Sequence, residues 1–238
     1  MKFAIIAAGE GSRLTQEGVS LPKPLVRIGG EPMIDRLIRI FNANGADEIC
    51  IIVNRLHPQT EAHVRQLMAQ GAGAPIRLAV KTTPSSMHSF FELSPWLDGA
   101  PFCLTTVDTI FREDEFSRYI AAFRATPALD GLMAVTDYVD DEKPLYVATD
   151  DALTITGFHD SDEGDRYISG GIYALRPRAL GTLRRCMAEG QSRMRNYQRA
   201  LVSDGLSLRA YPMSKILDVD HAGDIAKAEA FINSHPAV

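Results

Sequence analysis

Short apolar runs alternate with amphipathic helical segments through the first half of the sequence, and this alternation constrains the fold more than any other feature. Residues 2–7 predict a strand, and residues 32–44 predict a helix whose apolar positions recur at helical spacing before Gly45. Further strands are predicted over 48–53, 76–80 and 102–106, and further helices over 58–70, 87–97 and 113–126. Repeated strand–helix units form a parallel sheet with crossover helices, so the sequence predicts an α/β fold.

The second half of the sequence is denser in predicted strands. Short polar turns separate apolar runs over 131–139, 145–149, 153–158 and 167–175. Helices are then predicted over 177–188, 193–203 and 223–233, with one further strand over 207–211. Because no repeat, low-complexity tract or linker interrupts the chain, we expect a single domain over 1–238.

Composition and charge exclude several classes of protein. The 238 residues are 45% hydrophobic, which suffices for a full core. A net charge of -5 argues against a protein that neutralises a nucleic-acid backbone, and no apolar stretch approaches the roughly 20 residues of a membrane span. Cys50, Cys103 and Cys186 are widely spaced, which favours a reducing compartment. We therefore expect a cytoplasmic protein without a nucleic-acid or membrane partner.

The first predicted strand runs into a glycine-bearing loop, at the end of a parallel strand where open α/β sheets bind ligands. Residues 7–14 read Ala-Ala-Gly-Glu-Gly-Ser-Arg-Leu. Glycines let backbone N–H groups approach a phosphate, and Arg13 can add a bidentate contact to the same oxygens. The loop lacks the third glycine of a dinucleotide fingerprint and the Gly-Lys-Ser/Thr of a Walker loop. By itself, a Gly-x-Gly pair also fits an ordinary turn.

A lysine held between two prolines strengthens the phosphate interpretation. Residues 20–25 read Ser-Leu-Pro-Lys-Pro-Leu, and the two rings restrict the backbone around Lys23. A solvated surface turn is the competing interpretation. Together with the glycine loop, this element resembles the signature of the sugar-phosphate nucleotidyltransferases, the family of glucose-1-phosphate thymidylyltransferase and mannose-1-phosphate guanylyltransferase. The resemblance implies nucleotide contacts from Ala7, Ala8, Gly9, Gly11, Ser12, Arg13 and Lys23.

Two acidic segments are candidates for binding a metal ion. The strand over 102–106 leads to Asp108, where a buried carboxylate needs a partner such as Mg²⁺, although a cap or turn is equally compatible. The resemblance implies that Asp108 is one metal ligand and that the second is Asp218 or Asp220. Alternation along an extended segment would place Asp218 and Asp220 on the same side. Asp224 is predicted to be a helix cap.

A serine-bearing segment stands where the family has a glycine-rich approach to the base and the acceptor. Residues 82–89 read Thr-Thr-Pro-Ser-Ser-Met-His-Ser, which is more similar to variants among choline-phosphate cytidylyltransferase-like relatives. Ser85 and Ser86 are candidates for nucleotide contact by this resemblance. A serine before a helix is also an ordinary N-cap, so both interpretations stay open.

The acceptor region is placed by resemblance over 155–160 and 169–175. Asp160 matches the family's glutamate, whereas Ser161 replaces its lysine. The resemblance predicts acceptor contacts from Asp160, Gly171 and Arg195. Arg166 and Arg193 are alternatives for the missing positive charge, and a solvated surface position is open for each arginine.

The resemblance implies a single three-layer nucleotidyltransferase domain of the Rossmann-like, GT-A type. It would have a mostly parallel mixed central sheet, a nucleotide-binding half over 1–129, and an acceptor half over 130–238 that holds a small β-rich lobe and the closing metal segment. The implied reaction is Mg²⁺-dependent transfer of NMP from an NTP to a phosphorylated small acceptor, with pyrophosphate as the second product. A sugar 1-phosphate is the expected acceptor. The implied catalytic residues are Arg13, Lys23 and Asp108.

Three alternatives stay open at this point. A phosphocholine-type cytidylyltransferase fits the serine segment over 82–89. A nucleotide-sugar-dependent glycosyltransferase shares this kind of sheet and a metal aspartate pair. A non-catalytic nucleotide-sensing module is compatible with the departures at residues 85–89 and at Ser161. The sequence leaves open the base, the acceptor and whether the chain forms a homo-oligomer.

Overall fold

The structure, a computed structural model, describes residues 1–71, 73–140 and 143–234. The strands are β1 (Lys2–Ala7), β2 (Arg27–Ile28), β3 (Glu31–Pro32), β4 (Glu48–Val53), β5 (Ile76–Val80), β6 (Phe102–Thr106), β7 (Thr109–Ile110), β8 (Gly131–Thr136), β9 (Tyr146–Thr149), β10 (Ile155–His159), β11 (Tyr167–Leu175), β12 (Leu208–Pro212) and β13 (Leu217–Asp218). The helices are α1 (Ser12–Gln16), α2 (Met33–Ala43), α3 (Pro58–Gln70), α4 (Ser86–Leu97), α5 (Glu113–Ala125), α6 (Ala179–Ala188), α7 (Met194–Ser203) and α8 (Ala222–Asn233). Within the described ranges, no helix is long and apolar enough to cross a bilayer.

One mixed sheet runs through the centre of the protein. Strand β1 pairs in parallel with β4 and β6, and β4 pairs in parallel with β5. Strand β11 runs antiparallel to β6, and it also pairs with β8 and β9. Strand β12 joins β8 in parallel, and β10 joins β9 antiparallel. Because β6 belongs to the first half of the chain and β11 to the second, the sheet is continuous across both halves.

Helices cover both faces of this sheet and bury a separate apolar cluster on each. On one face, α2, α5 and α8 pack over β1, and the ring centroids of Phe3 and Phe41 are 4.6 Å apart. Phe116 of α5 completes this aromatic group at 5.8 Å from Phe41. On the other face, α4, α6 and α7 pack together, with the rings of Phe90 and Tyr197 edge to face at 5.4 Å. Burial on both faces explains why the central strands read as continuous apolar runs.

The predicted α/β class with a mixed central sheet and helices on both faces is confirmed. Most predicted elements occur, with ends displaced by a few residues. The strand predicted over 131–139 ends at Thr136, for example, because the Thr136 hydroxyl accepts the N–H of Tyr138 at 3.1 Å and turns the chain there.

Five short elements were not predicted, namely α1, β2, β3, β7 and β13, and three of them, α1, β7 and β13, lie at or beside the clefts described below. Helix α1 has five residues, and strands β7 and β13 have two each. Segments this short show no periodicity, so a hydrophobic pattern could not reveal them.

Candidate active site

A cleft of about 390 Å³ opens at the carboxyl ends of β1 and β6, where parallel α/β sheets bind ligands. The glycine loop, the lysine turn and the start of α4 form its walls. Its lining includes every predicted nucleotide-binding residue, namely Ala7, Ala8, Gly9, Gly11, Ser12, Arg13, Lys23, Ser85 and Ser86. Asp108 and Asp220 line the same cleft. The fold thus brings candidate residues from both ends of the chain to one place.

Packing within the protein explains the glycine at position 11 but not the glycine at position 9. Gly11 has a φ of 63°, and a Cβ at this position would lie 3.1 Å from the Cβ of Lys23. The left-handed backbone and the close approach of the lysine turn therefore both favour glycine there. A Cβ at Gly9 would meet no atom within 4 Å, so packing within the protein does not require that glycine. The space beside Gly9 is open to a ligand.

Lys23 lies between two carboxylates. Its ammonium contacts Oδ2 of Asp108 and donates a hydrogen bond of 2.7 Å to Oδ1 of Asp220. Burial alone would lower the pKa of Lys23, but the charge and hydrogen bond of Asp108, followed by those of Asp220, outweigh it and raise the pKa. Arg13 donates to the other oxygen of Asp220 at 3.1 Å. Lys23 therefore keeps its positive charge in the cleft.

The aspartates converge because β7 and β13 pair with each other. In this antiparallel pair, Asp218 stands opposite Thr109, directly after Asp108 in the chain. The N–H of Val219 donates to the backbone carbonyl of Asp108 at 3.1 Å. This short ladder holds residues 217–220, which we call the closing segment, beside the end of β6.

The carboxylates fit a divalent cation that arrives together with phosphates. Oδ1 of Asp108 is buried without a hydrogen-bond partner in the described part of the chain, and such an atom is satisfied by an ion, a ligand or water. Asp218 is exposed at the second cleft. Partial desolvation of its carboxyl group, followed by the negative charges of Asp108 and Asp220, raises its pKa to about 7. No three His, Cys, Asp or Glu side chains of the described residues could hold an ion by themselves. Mg²⁺ needs only one or two carboxylates when phosphates and water complete its shell.

The closing segment is fastened where α8 begins. Oδ2 of Asp224 accepts the N–H groups of Asp220 at 3.2 Å and His221 at 2.8 Å, which is the cap expected of this residue. The carboxylate of Glu17 accepts the N–H of Ala222 at 2.6 Å and lies 2.6 Å from Nδ1 of His221. Glu17 follows α1, so it ties the glycine loop to the segment of Asp220. Glu17 could not be identified from the sequence, because a lone glutamate belongs to no motif.

The serine segment combines its two predicted roles. Ser85 is the N-cap of α4, and its hydroxyl accepts the N–H of His88 at 3.4 Å. Ser85 and Ser86 also line the first cleft, together with Thr83 and Ser89. This wall of the cleft therefore presents several hydroxyl groups at the start of a helix.

A second cleft of about 400 Å³ adjoins the first and shares Arg13 and Asp220 with it. Arg195 of α7 lines this second cleft, as does Asp218. Asp160 is not part of its lining. Instead, Asp160 forms ion pairs with Arg195 and, at 2.8 Å, with Arg199. The structure therefore places Asp160 behind Arg195, where it holds that arginine at the cleft.

The other residues considered for the acceptor site, Gly171, Arg166 and Arg193, do not line the second cleft. Gly170 lines the second cleft, whereas Gly171 lies beside it, with its Cβ position 3.7 Å from Oγ1 of Thr109. Gly171 has a φ of 71°, and it lies where the pairing of β11 with β8 shifts register between Ser169 and Tyr173. Arg166 forms an exposed ion pair, and Arg193 is the N-cap residue of α7. Neither arginine is among the residues that line the two clefts.

Comparison with known proteins agrees with the chemistry of these clefts. Residues 3–202 match the family described as MobA-like NTP transferase domain. The chain belongs to this NTP transferase family. Mannose-1-phosphate guanyltransferase of Kluyveromyces lactis is 28% identical over 189 residues, which cover 76% of this chain and 51% of that protein. The chain thus spans about half the length of the curated relatives it matches. The family predicted from the glycine loop and Lys23 is confirmed.

Solved structures show the NTP transferase fold over the whole chain. A candidate glucose-1-phosphate thymidylyltransferase of Bacillus anthracis superposes with a TM-score of 0.85 at 18% identity, covering 100% of this chain and 97% of that one. The inositol-1-phosphate CTP transferase of T. maritima superposes with a TM-score of 0.78 at 16% identity, covering 100% and 98%. At these identities the comparison establishes the fold and not the substrates.

Proposed function

We propose that this NTP transferase moves a nucleoside monophosphate from an NTP to a phosphorylated small acceptor, a sugar 1-phosphate, and releases pyrophosphate. The observation that carries the proposal is the junction between the two clefts. Arg13 and Asp220 line both clefts and are hydrogen-bonded to each other at 3.1 Å. A triphosphate in the first cleft and an acceptor in the second would meet at this junction, and such positioning supplies much of the rate in phosphoryl chemistry.

The first cleft offers the triphosphate three kinds of contact. The open position beside Gly9 leaves room for a phosphate against the backbone. Arg13, whose side chain is 58% exposed, can turn from Asp220 to phosphate oxygens. Lys23 can do the same from a more enclosed position and offset the charge that develops around the α-phosphorus.

The proposal includes Mg²⁺, held by Asp108 with Asp218 or Asp220. The unpaired, buried Oδ1 of Asp108 supports this assignment. When bound, Mg²⁺ would stabilise the negative charge on the phosphates and orient them. The carboxylates of the closing segment would thereby place the triphosphate against the junction.

The transfer itself requires no protein base. A phosphate oxygen of the acceptor attacks the α-phosphorus, the new P–O bond forms, and the bond to the bridging oxygen breaks so that pyrophosphate leaves. A phosphomonoester dianion is already a nucleophile, so no proton has to be removed from it. The raised pKa of Lys23 keeps this residue charged, which suits a group that stabilises phosphates and does not abstract protons.

The second cleft favours a sugar phosphate over phosphocholine as the acceptor. Among the described residues that line it, Tyr138 is the one Phe, Tyr or Trp side chain, and the ammonium of Lys215 already lies 4.0 Å from its ring centroid. A quaternary ammonium is recognised by aromatic faces that are free to surround it. Arg13 and Arg195 line the same cleft and suit the phosphate of an acceptor, and its aspartates suit the hydroxyl groups of a sugar.

A substrate panel tests the proposal. The purified protein is incubated with MgCl₂, each of ATP, CTP, GTP, UTP and dTTP, and each of several sugar 1-phosphates, phosphocholine and inositol 1-phosphate, while pyrophosphate is measured. We expect release that requires one NTP together with a sugar 1-phosphate, disappears with EDTA, and is lost in folded Asp108→Ala protein.

Other outcomes of the panel would select the alternatives. Release with CTP and phosphocholine would overturn the assigned acceptor class. Sugar transfer from a nucleotide sugar, without consumption of a triphosphate, would identify a glycosyltransferase. Nucleotide binding without turnover of any acceptor would favour the sensing module.

A further inference from the structure

Two side chains from the loop between β4 and α3 hold the backbone of the glycine loop. The Nδ2 of Asn54 donates to the carbonyl of Ala8 at 2.9 Å. The Nε2 of His57 lies 3.1 Å from the carbonyl of Glu10, and because a carbonyl only accepts, this nitrogen is the donor. The two held carbonyls are two positions apart, immediately before Gly9 and Gly11. Neither Asn54 nor His57 belongs to the motifs identified in the sequence.

Asn54 is fixed in one orientation by its own hydrogen bonds. It is only 1% exposed, and its Oδ1 accepts the N–H of Leu56 at 3.0 Å and the hydroxyl of Thr82 at 2.7 Å. A backbone N–H can only donate, so Oδ1 must face Leu56 and Nδ2 must face Ala8. Asn54 therefore links the chain segments that follow β1, β4 and β5 through a single buried amide.

Holding these carbonyls also sets the direction of the next two N–H groups. In a trans peptide the carbonyl of one residue and the N–H of the next point in opposite directions, and the described chain has no cis peptide. The N–H of Gly9 therefore points away from Asn54, and the N–H of Gly11 points away from His57. Gly9 and Gly11 line the first cleft, whereas Asn54 and His57 do not.

We infer that Asn54 and His57 are positioning residues that aim the N–H groups of Gly9 and Gly11 at the phosphates of the bound nucleotide. The inference rests on the proposed function in that it assigns the first cleft to a triphosphate. Two aligned N–H groups form a concave anion site, and fixing them before the ligand arrives removes the cost of ordering them during binding. The two residues act through backbone atoms and touch no substrate themselves.

Inorganic tripolyphosphate is a suitable probe, because it presents the phosphates without the base or the acceptor. Its affinity is measured by calorimetry in the presence of MgCl₂ for the wild type, Asn54→Asp, His57→Ala and His57→Gln. Asn54→Asp keeps the oxygen that accepts from Leu56 and Thr82 but replaces the donor to Ala8 with an oxygen. Asn44→Asp is the matched control, because Asn44 donates in the same way to the carbonyl of Ile40 at 2.8 Å, outside both clefts.

We expect Asn54→Asp to weaken tripolyphosphate binding by about tenfold, and His57→Ala to weaken it by about fivefold. His57→Gln should recover most of the loss, because a glutamine amide can donate from a similar place. Asn44→Asp should stay within about twofold of the wild type. In turnover, the KM for the NTP should rise in Asn54→Asp and His57→Ala, while the KM for the acceptor stays unchanged.

Melting temperatures separate this role from a loss of fold, and His57→Ala provides a second test on a side chain that is only partly buried. Wild-type affinity in folded Asn54→Asp and His57→Ala would overturn the inference, as would equal losses in Asn54→Asp and Asn44→Asp. Absence of tripolyphosphate binding by the wild type would also overturn it. A wild type that binds tripolyphosphate but turns over no substrate pair would contradict the proposed function and leave the positioning role supported by the binding data.

Discussion

The ammonium of Lys23 bridges Asp108 and Asp220, at 2.7 Å from Oδ1 of Asp220. These carboxylates come from the middle and the end of the chain, and a bound Mg²⁺ would draw on the same two side chains. Lysine and metal ion are therefore alternative partners of one carboxylate pair. Under the proposed function, the triphosphate gives Lys23 a new partner and frees the carboxylates for the ion.

Removal of this lysine should separate metal binding from catalysis. In Lys23→Met, Mn²⁺ alone should bind more tightly than in the wild type, because the carboxylates lose their internal cation, while kcat falls by about 100-fold or more. Electron paramagnetic resonance of Mn²⁺ and pyrophosphate release measure the two effects. Lys81→Met, which breaks an ion pair with Glu92 outside the clefts, is the control. Weaker Mn²⁺ binding in Lys23→Met would refute the competition.

Gly9 and Gly11 of the glycine loop should respond differently to substitution by alanine. Gly9→Ala meets no protein atom, so the melting temperature should not change, while NTP affinity should fall by about tenfold because the methyl group occupies phosphate space. Gly11→Ala should lose about 1–2 kcal/mol of stability, because its φ of 63° and the 3.1 Å approach to Lys23 disfavour a side chain. Calorimetric unfolding and nucleotide titration distinguish the two. Equal destabilisation by both variants would contradict the assignment.

Arg195 should affect the acceptor and not the nucleotide. Arg195 lines the second cleft and not the first. Arg195→Ala should therefore raise the KM for the acceptor by about tenfold and leave the KM for the NTP within about twofold. Arg166→Ala is the matched control, since Arg166 was an alternative candidate from sequence but does not line either cleft. If Arg195→Ala instead raised the KM for the NTP, the division of the two clefts between substrates would be wrong.

The Asp204 carboxylate, which lies outside both clefts, should make a pH-dependent contribution to the free energy of unfolding. Hydrogen bonds from Thr182 and then Arg185 lower its pKa below the ordinary value of 3.8. A lowered carboxyl pKa stabilises the fold above the ordinary pKa, and the contribution is lost as the pH falls through the folded-state value. Asp204→Asn should therefore lose about 1 kcal/mol at pH 7, and its difference from the wild type should shrink below about pH 4.

Urea unfolding of Asp204→Asn and the wild type at pH 7 and at about pH 3.5 measures this difference in stability. Glu189→Gln removes the other carboxylate partner of Arg185, on an exposed helix face, and should change stability by less than about 0.5 kcal/mol at either pH. A loss in Asp204→Asn that is the same at pH 7 and at pH 3.5 would show that the charge of Asp204 contributes nothing.

The strands around β1 and the phosphate loop could be predicted because their causes are local in sequence. Burial on both faces produces continuous apolar runs, and glycine and proline restrict the backbone wherever they occur. The sequence also identified Asp108, Asp218 and Asp220 as candidate metal ligands. The sequence could not decide between Asp218 and Asp220, because the two residues lie two positions apart in the same segment. In the structure both line the second cleft, and of the two only Asp220 also lines the first.

The residues that sequence analysis missed act through backbone atoms of distant segments. Glu17 accepts the N–H of Ala222, and Asn54 donates to the carbonyl of Ala8. Every residue except proline carries the same N–H and carbonyl groups, so no pattern of side chains marks these partners. Asp160 was predicted at the acceptor, and that role stays a prediction. In the structure its carboxylate forms ion pairs with Arg195 and Arg199.

The fate of the phosphates tests the central claim most directly. The protein is given its NTP labelled with ³²P at either the α- or the γ-position, together with the sugar 1-phosphate, and the products are separated. The account predicts that the α-label appears in a conjugate with the acceptor and the γ-label in pyrophosphate. A γ-label on the acceptor, or an α-label in free nucleoside monophosphate alone, would contradict transfer at the junction of Arg13 and Asp220.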